Sequence, residues 1–459
     1  MDFLHPEQQA KSRIEKTDGS FSKEYSKLAK HSRFSQSYAD LHARPFPVSA
    51  APIRTSQLSF LHHDSDDENS EVVSQIDEIT HLKELCQRYS IHPPQESDAC
   101  FYQNFGEFEV RWERHTEFST YAFVVHDSSP APFEFPPIGL VPIDWLQAIP
   151  GQVIAAVHID ALEGDGKRPD REVLRQYFEG QRLIGSKLHD GAATIWSALR
   201  LHSDNFNRIL LVNNTLNECQ AGRVLRALLE IEAYRNMTLL AFPLAQEVSA
   251  KVSQMEAQLA RLVEYHDGIR SAINEEEQLA ELSKMAAIIA ELIARSRYRF
   301  DAGSAYYQMV QSRLEELQEQ ETQELQTMAA FIDRKLSPSY RTVIAAKRRL
   351  DDLAERVDRA SDFIRTRIDM AIETQNQALL KSMDRRAQMQ FNLQQTVEGL
   401  SVVVLTYYVL ALCGFLLDAA DDLDFGISRP IAVAGLLPVV LSIVWLLSRR
   451  LKKRLRKNT

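Results

Sequence analysis

Two unbroken apolar runs near the C-terminal end form the strongest pattern in the chain. Residues 399–417 and 431–448 contain no charged side chain. Each run is close to the roughly 20 apolar residues that a helix needs to cross the hydrocarbon core of a bilayer. Pro438 lies inside the second run, where neighbouring groups in a membrane can satisfy the carbonyl that it frees. We therefore predict a two-helix transmembrane hairpin over residues 399–448.

The pattern ahead of these runs changes near residue 242. Residues 1–40 are polar and predict a loosely ordered arm. Residues 41–242 mix short strand-like stretches with helical spacing, which predicts an α+β domain of the α/β sandwich type. The predicted strands are 52–62, 105–127 (two strands or one bent strand), 151–162, 181–188, 207–214 and 237–242, and the predicted helices are 72–89 and 216–234.

Residues 243–398 read as long helices throughout. We predict one helix to about Arg299, a second over 304–336, and a break at Ser337-Pro338. The next helix carries apolar residues every seven positions, which is typical of a coiled-coil seam. The seam consists of Val343, Leu350, Val357, Ile364 and Ala371, with Ala346, Leu353 and Ala360 at the complementary position. Both an intrachain hairpin on the preceding helix and an intersubunit stalk fit this spacing.

Charge predicts the orientation of the hairpin. The tail, residues 449–459, is strongly basic, and basic flanks stay in the cytosol. The connection between the two runs is acidic, through Asp418, Asp421, Asp422 and Asp424. We therefore predict two spans in the cytoplasmic (inner) membrane, with both termini in the cytosol and the acidic loop outside.

The overall charge narrows the range of partners. The chain has 53 Lys and Arg against 63 Asp and Glu, a formal net charge of -10, and the basic tail makes the remainder more acidic still. Such a body repels phosphate, so we expect no nucleic-acid partner. The expected partners are the lipid bilayer, a second copy of the chain in a homo-oligomer, and a cytosolic protein.

Two polar clusters are candidates for chemistry. The first contains His42 and Arg44; the second is the stretch 111–121. In an extended strand, alternate residues share one face. The residues that this rule places together are Arg111, Glu113, His115, Glu117 and Ser119. A charged stripe of this kind most often forms an ion-pair ladder across strands, which is the interpretation we favour.

Two other interpretations of the clusters remain open. Glu113, His115 and Glu117 offer a cation two carboxylates and an imidazole. Alternatively, His42 and Arg44 join Glu113 and His115 in an enzyme active site. The chain lacks the phosphate-loop, zinc-protease and serine-hydrolase motifs. We therefore predict no catalytic residue, no metal and no cofactor.

The predicted spans contain three polar residues at mid-depth, Thr406, Tyr407 and Tyr408. Hydrogen bonding between helices and lining of a pore are both possible roles for them. Neither span holds an ionisable carboxylate, Lys, Arg or His, which argues against a proton-driven transporter.

Several stretches resemble a bacterial family of uncharacterised membrane-anchored proteins. They are LHARPF (41–46), RWERHTEFSTYAF (111–123), GRVLRALLEIEAYRNMTLLAFP (222–243), RFDAGSAYYQMVQSRLEEL (299–317) and QNQALLKSMDRRAQMQFNLQQTVEGLSVVVLTYY (375–408). The resemblance implies anchoring in the membrane and no established activity.

The order of segments is also similar to that of CorA-type magnesium channels. The Gly-Met-Asn signature of that family is absent from the matching stretch, 413–425. We therefore expect a membrane-tethered structural or interaction protein with a large cytosolic domain. A CorA-like oligomeric cation channel or transporter is the alternative.

Overall fold

The computed structural model describes Lys30, His31, Phe34 and residues 49–63, 72–129, 131–164, 169–264, 273–322, 325–421 and 429–455. Within these ranges, nine strands form one sheet in the order β2-β3-β4-β1-β5-β8-β7-β6-β9. The strands are β1 (Ile53–Leu61), β2 (Cys100–Asn104), β3 (Glu109–Arg114), β4 (Phe118–Val125), β5 (Gln152–Glu163), β6 (Ile184–Leu188), β7 (Ala193–Ser197), β8 (Asn207–Asn213) and β9 (Glu319–Glu321). Among the described pairings, only β5 and β8 run parallel. The mainly antiparallel sheet, with helices outside it, makes this an α+β fold.

Eight α-helices accompany the sheet within the described residues, together with two short 3-10 helices, Pro137–Leu140 and His189–Gly191. They are α1 (Gln75–Arg88), α2 (Ile143–Gln147), α3 (Arg171–Tyr177), α4 (Glu218–Leu239), α5 (Ala241–Glu264), α6 (Ile273–Glu316), α7 (Met328–Asp421) and α8 (Arg429–Leu455). Helices α1 and α4 both begin with a capping box, formed by Ser74 with Asp77 and by Asn217 with Gln220. These side chains satisfy N–H groups that have no partner within the helix, so the sequence fixes where each helix starts.

Helices cover both faces of the sheet. Successive residues of a strand point to opposite faces, and in these strands both faces carry apolar side chains. In β4, Phe118 and Val124 join the core cluster that contains the buried side of α4. Tyr121 and Phe123 point the other way, into a cluster with residues of α1 and with Trp145 of α2. The second face continues over β7 and β8 in a cluster that includes Phe178, which follows α3. The sheet is therefore packed between helices on both faces through apolar contacts.

Helices α5, α6 and the first part of α7 pack together. Arg349 of α7 donates to Glu256 of α5 at 2.6 Å, and Arg295 of α6 donates to Glu247 of α5 at 2.9 Å. The rings of Tyr307 in α6 and Tyr340 in α7 stack with centroids 3.9 Å apart. Strand β9 connects α6 to α7, and Glu319 accepts hydrogen bonds from the N–H groups of Met328 and Ala329 at the start of α7.

Three predictions about the helices are wrong. Residues 237–242 form the end of α4 and the start of α5, not a strand. Helix α6 continues through the predicted gap after Arg299, where Gly303 allows α5 to approach closely. A Cβ at Gly303 would lie 3.0 Å from the Cβ of Ala241. Helix α7 also continues through Pro338, because buried residues on both sides of the proline hold the helix in place.

The described chain divides into two compact units. The first comprises Met1–Arg261 and Met285–Arg356, and the second comprises Leu262–Lys284 and Val357–Thr459. In the first unit, the seam residues Val343, Leu350 and Leu353 are buried. In the second unit, Val357 and Ile364 are buried, whereas Ala371 is exposed. The chain itself therefore covers the seam as far as Ile364.

The second unit contains the two apolar segments. The end of α7, up to Leu416, and Val433–Arg450 in α8 are each long and apolar enough to cross a membrane. Only 11% of each apolar segment is buried within the protein. A helix from a soluble core would be mostly buried, so exposed apolar helices of this length are typical of a membrane protein.

Candidate functional site

A cleft of about 440 Å³ opens between α4 and the sheet, on the side of the sheet where β2, β3 and β4 lie. All the residues that line it belong to the first compact unit. Its volume falls within the range of about 300–1,000 Å³ that is typical of small-molecule sites. The cleft is the candidate functional site of the molecule.

The cleft exists because β3 presents charged residues to the side on which α4 lies. Glu109, Arg111 and Glu113 alternate along β3 and line the cleft, whereas Val110 and Trp112 are fully buried on the opposite face. A sheet surface that carries charges cannot be sealed under an apolar helix without a large desolvation cost. Helix α4 packs tightly where the strands are apolar, and the charged surface of β3 stays partly open.

The neighbouring strands supply the floor and one wall. Phe118, Thr120 and Ala122 of β4 line the cleft, and all three are buried. Thr120 lies opposite Glu113 in the β3–β4 ladder, and Ala122 lies opposite Arg111. On the outer side, Tyr102 of β2 donates a hydrogen bond from its hydroxyl to Glu113. The charged groups of β3 therefore stand between an apolar floor and a tyrosine at the sheet edge.

Helix α4 provides the opposite wall. Leu229 and Ala233 supply apolar surface, while Arg226 and Glu230 add a charged pair at 2.7 Å. Arg313 of α6 also donates to Glu230, from outside the cleft. Arg226 and Glu230 are mostly withdrawn from solvent, with exposed side-chain fractions of 19% and 13%. Partial burial strengthens their interactions relative to those of surface charges.

Charged groups of the two walls interact across the cleft: Arg226 of α4 is attracted to Glu113 of β3. Burial alone would lower the pKa of the Arg226 guanidinium, but its hydrogen bond to Glu230 and the negative charges of Glu230 and Glu113 raise it. Burial and the adjacent Glu113 carboxylate raise the pKa of the Tyr102 hydroxyl well above its usual value. Arg226 therefore stays charged, and Tyr102 stays a neutral hydrogen-bond donor, at physiological pH.

Histidines lie at both ends of the cleft. The His115 ring stacks on Phe118 with centroids 4.3 Å apart and meets the edge of Tyr234. At the other end, Nε2 of His126 lies 3.2 Å from Glu109, which also accepts a hydrogen bond from Arg111 at 3.2 Å. Each carboxylate of β3 therefore has a contact within the protein.

The structure separates Glu117 and Ser119 from the other residues of the predicted stripe. The chain turns between β3 and β4, so these two residues do not continue the face of Arg111 and Glu113, and that part of the prediction is wrong. Glu117 is buried and forms an ion pair with Arg299 of α6 at 2.8 Å. Ser119 bonds with the His62 ring at 2.9 Å. Among the described residues, no group of His, Cys, Asp and Glu forms a metal site.

A buried polar cluster lies on the face opposite the cleft. Glu78 of α1 is fully buried and contacts Arg114, and its carboxylate lies 3.6 Å from His62. Burial and the Arg114 charge lower the pKa of His62 to about 4, so its ring is neutral near pH 7. Because these groups are enclosed, we assign them a structural role: they hold α1 against the β3–β4 turn.

A second cluster, in which the serine and the histidine are buried, has the residue types of a hydrolase triad. The Ser56 hydroxyl lies 2.9 Å from Nδ1 of His158, and Nε2 of His158 lies 3.9 Å from Asp204. Ser56 is 0% exposed and also accepts a hydrogen bond from the N–H of Ile138. A nucleophile must reach its substrate, and an enclosed hydroxyl cannot. We assign this cluster a structural role as well.

The other residues singled out in the sequence fall into two groups. His42, Arg44, Asp422 and Asp424 lie outside the described residues, and Asp418 and Asp421 are placed only as part of the backbone of α7. In the apolar part of α7, Thr406 is buried and donates to the carbonyl of Val402, whereas Tyr407 and Tyr408 are exposed. Of the predicted site residues, Arg111, Glu113 and His115 are the ones that line the cleft.

Sequence reasoning missed most of the cleft. Tyr102, Arg226, Glu230 and Tyr234 were not predicted to belong to a site. Arg226 and Glu230 are four residues apart on one helix, which is the spacing of an ordinary surface ion pair. No signal in the sequence distinguishes such a pair from a ligand-binding pair.

The chain was compared with known proteins. A family model described as "Protein of unknown function (DUF3422)" matches residues 29–455. No curated protein and no solved structure matches the chain.

Proposed function

We propose that this chain, which belongs to the DUF3422 family of proteins of unknown function, is a membrane-tethered binding protein. In this proposal α7 and α8 anchor the chain through two spans, and the α+β body binds a small molecule in the cleft between α4 and the sheet. The observation that carries the proposal is an open cleft with charged walls in a body that has its own apolar core.

The exposed apolar helices support the anchor. Large apolar side chains such as Leu405 and Leu441 are about half exposed on helices with little cover from the rest of the protein. Thr406, Val440 and Val444 are buried, which supports a contact between the two helices. In a bilayer, these side chains would contact lipid instead of water, and the protein would not have to refold to bury them.

The cleft supports binding and not catalysis. Its carboxylates already contact Tyr102, Arg111, Arg226 or Arg313, and these contacts fix their positions. Fixed polar groups around an apolar floor are the usual composition of a ligand site. The Ser-His-Asp cluster has catalytic residue types, but its serine and histidine, Ser56 and His158, are buried on the other side of the sheet.

The anchor is tested by extraction of membranes at alkaline pH. We expect the full-length protein to remain in the membrane pellet. A Leu405→Arg, Leu441→Arg variant should be released largely into the supernatant, because each arginine costs about 3 kcal/mol at the centre of a span. The matched control is Gln377→Arg, Gln390→Arg, which adds the same charge at exposed positions of α7 ahead of the span. Release of the wild-type protein by alkali would refute the anchor.

A further inference from the structure

We infer that the cleft between α4 and the sheet binds a small zwitterion: a molecule with one ammonium group, one carboxylate and an apolar body between or beside them. This inference rests on the proposed binding function and names the class of ligand. The supporting observations are the presence of both signs of charge around the cleft, the distribution of that charge on two walls, and the apolar floor.

Charges of both signs line the cleft. Three carboxylates, of Glu109, Glu113 and Glu230, line it. Two guanidinium groups, of Arg111 and Arg226, line it as well, and Arg313 contacts Glu230 from behind. A ligand with a single charge would be opposed by the groups of its own sign, because like charges at close range repel. A ligand that carries both charges can place each next to groups of opposite sign.

The charged groups have capacity for a ligand. A guanidinium has five N–H donors, and Glu109 accepts from one nitrogen of Arg111. A carboxylate has about four acceptor positions, and the Tyr102 hydroxyl is one of the partners of Glu113. The geometry points to Arg111 as a partner for the ligand carboxylate and to Glu113 as a partner for the ammonium group. These two residues are alternate positions of one strand, so they face the same space.

The apolar floor of the cleft favours a ligand that has an apolar group in addition to its two charges. Phe118 and Ala122 are buried under the cleft, and Leu229 and Tyr234 face them from α4. An apolar side chain placed there leaves water and gains free energy in proportion to its buried area. A purely structural ion-pair ladder would need neither this floor nor a cavity of about 440 Å³.

The test uses full-length protein in detergent and calorimetric titration with four probes. L-Phenylalanine carries both charges, phenethylamine lacks the carboxylate, and 3-phenylpropanoate lacks the ammonium group. A second zwitterion, L-alanyl-L-phenylalanine, places the two charges farther apart. We expect at least one zwitterion to bind about tenfold or more tightly than either singly charged analogue, because each lost ion pair removes a separate contribution.

Variants identify the groups involved. Glu113→Gln should weaken binding of the zwitterion about tenfold and bring its affinity close to that of 3-phenylpropanoate. Arg111→Gln should do the same and bring the affinity close to that of phenethylamine. Glu281→Gln is the matched control, since it removes a carboxylate from an exposed helix position outside the cleft. It should leave all affinities unchanged.

The outcomes separate this inference from the proposed function. Binding of a singly charged analogue as tight as that of both zwitterions, with loss in Glu113→Gln, would overturn the ligand class and leave the binding cleft in place. No binding of either zwitterion up to about 10 mM would overturn the zwitterion inference, and alkaline extraction would still decide the anchor. Binding that is unchanged in both cleft variants would place the ligand elsewhere and overturn the site.

Discussion

At the scale of single residues, His158 provides a test of how the buried polar groups respond to pH. Burial lowers its pKa to about 4, against 6.5 for an ordinary histidine, and the nearby Asp204 offsets only part of that effect. The unfolded chain therefore binds a proton on this ring between pH 6.5 and 4, and the folded chain does not. Stability that is fully present above pH 6.5 is lost as the pH falls through this window.

We predict that His158→Gln reduces the acid sensitivity of the fold. Gln retains a partner for the Ser56 hydroxyl but does not titrate. The free energy of unfolding should fall by roughly 2–3 kcal/mol less between pH 7 and pH 4.5 than it does in the wild type. Urea unfolding followed by tryptophan fluorescence measures this difference.

Other buried groups, among them His62 and Asp160, also make the stability depend on pH in this range. His62, with a pKa of about 4, acts in the same direction as His158. Asp160 acts in the opposite direction, because burial raises its pKa to about 6 and its contribution to stability falls as the pH rises from about 4 to 6. Both groups are present in wild type and variant, so they cancel in the comparison. His63→Gln, at an exposed position, should behave as the wild type. An unchanged acid response in His158→Gln would contradict the prediction.

The residue scale also shows why the candidate site was predicted only in part. Alternation along a strand places Arg111 and Glu113 on one face, and the structure has both at the cleft. The same rule failed at Glu117, because it assumes that the strand continues and the chain turns there. Arg226 reaches the cleft only through the packing of α4 on the sheet, which is a contact between distant parts of the sequence.

At the scale of elements, two leucines of α7 test which part of this helix packs within its own chain: Leu353 belongs to the heptad seam, and Leu379 lies beyond it. Leu353 is 0% exposed and packs within its own chain, whereas Leu379, farther along the same helix, is 56% exposed. We predict that Leu353→Asp lowers the thermal midpoint by several degrees without changing the particle mass, because it buries a charge in an apolar contact. We also predict a homo-oligomer that is joined through the exposed part of α7, so Leu379→Asp should leave the midpoint unchanged and lower the particle mass.

Differential scanning fluorimetry and light scattering of detergent-purified protein measure the two quantities. The variants serve as controls for each other, since both place Asp at a former Leu on one helix. A lower mass for Leu353→Asp would mean that the seam joins subunits. An unchanged mass for Leu379→Asp would remove this part of α7 from the subunit interface.

Element boundaries were less predictable than element types. We predict helix breaks between about Arg299 and Ser304 and at Ser337-Pro338, and Gly303 and Pro338 are residues that disfavour the interior of a helix. In the structure, Gly303 permits a close contact with Ala241, and the helix that contains Pro338 is held by its packing on α5 and α6. Tertiary packing outweighs local preference at both positions. The short strand β9 was missed for a related reason: its three residues gain their order from pairing with β6.

At the scale of the whole molecule, the division into an α+β body followed by long helices was predictable, because hydrophobic periodicity differs between the two regions. The strand order was not. It depends on pairings such as that of β1 with β5, and nothing in the local pattern specifies which strands become neighbours. The cleft is a consequence of that order, since β2, β3 and β4 form one end of the sheet and extend beyond the cover of α4.

The orientation in the membrane is the remaining prediction at this scale, and the chain carries its own reporter for it. Cys219 is exposed on the body, at the start of α4. The basic tail predicts that the body lies in the cytosol and that the acidic loop lies outside. In intact cells, a membrane-impermeant maleimide should therefore label an Asp421→Cys variant and leave Cys219 unlabelled. After lysis, both cysteines should react.

Each cysteine is a control for the other because both are measured in one preparation. A Cys219→Ser, Asp421→Cys double variant isolates the signal from the loop, and a Cys219→Ser single variant gives the background from the cysteines that remain. Labelling of Cys219 in intact cells, with Asp421→Cys protected, would reverse the orientation. Protection of both positions in intact cells would place both ends of the first span on one side of the membrane. The apolar segments would then lie along the membrane and not across it, since a single crossing separates Cys219 from residue 421.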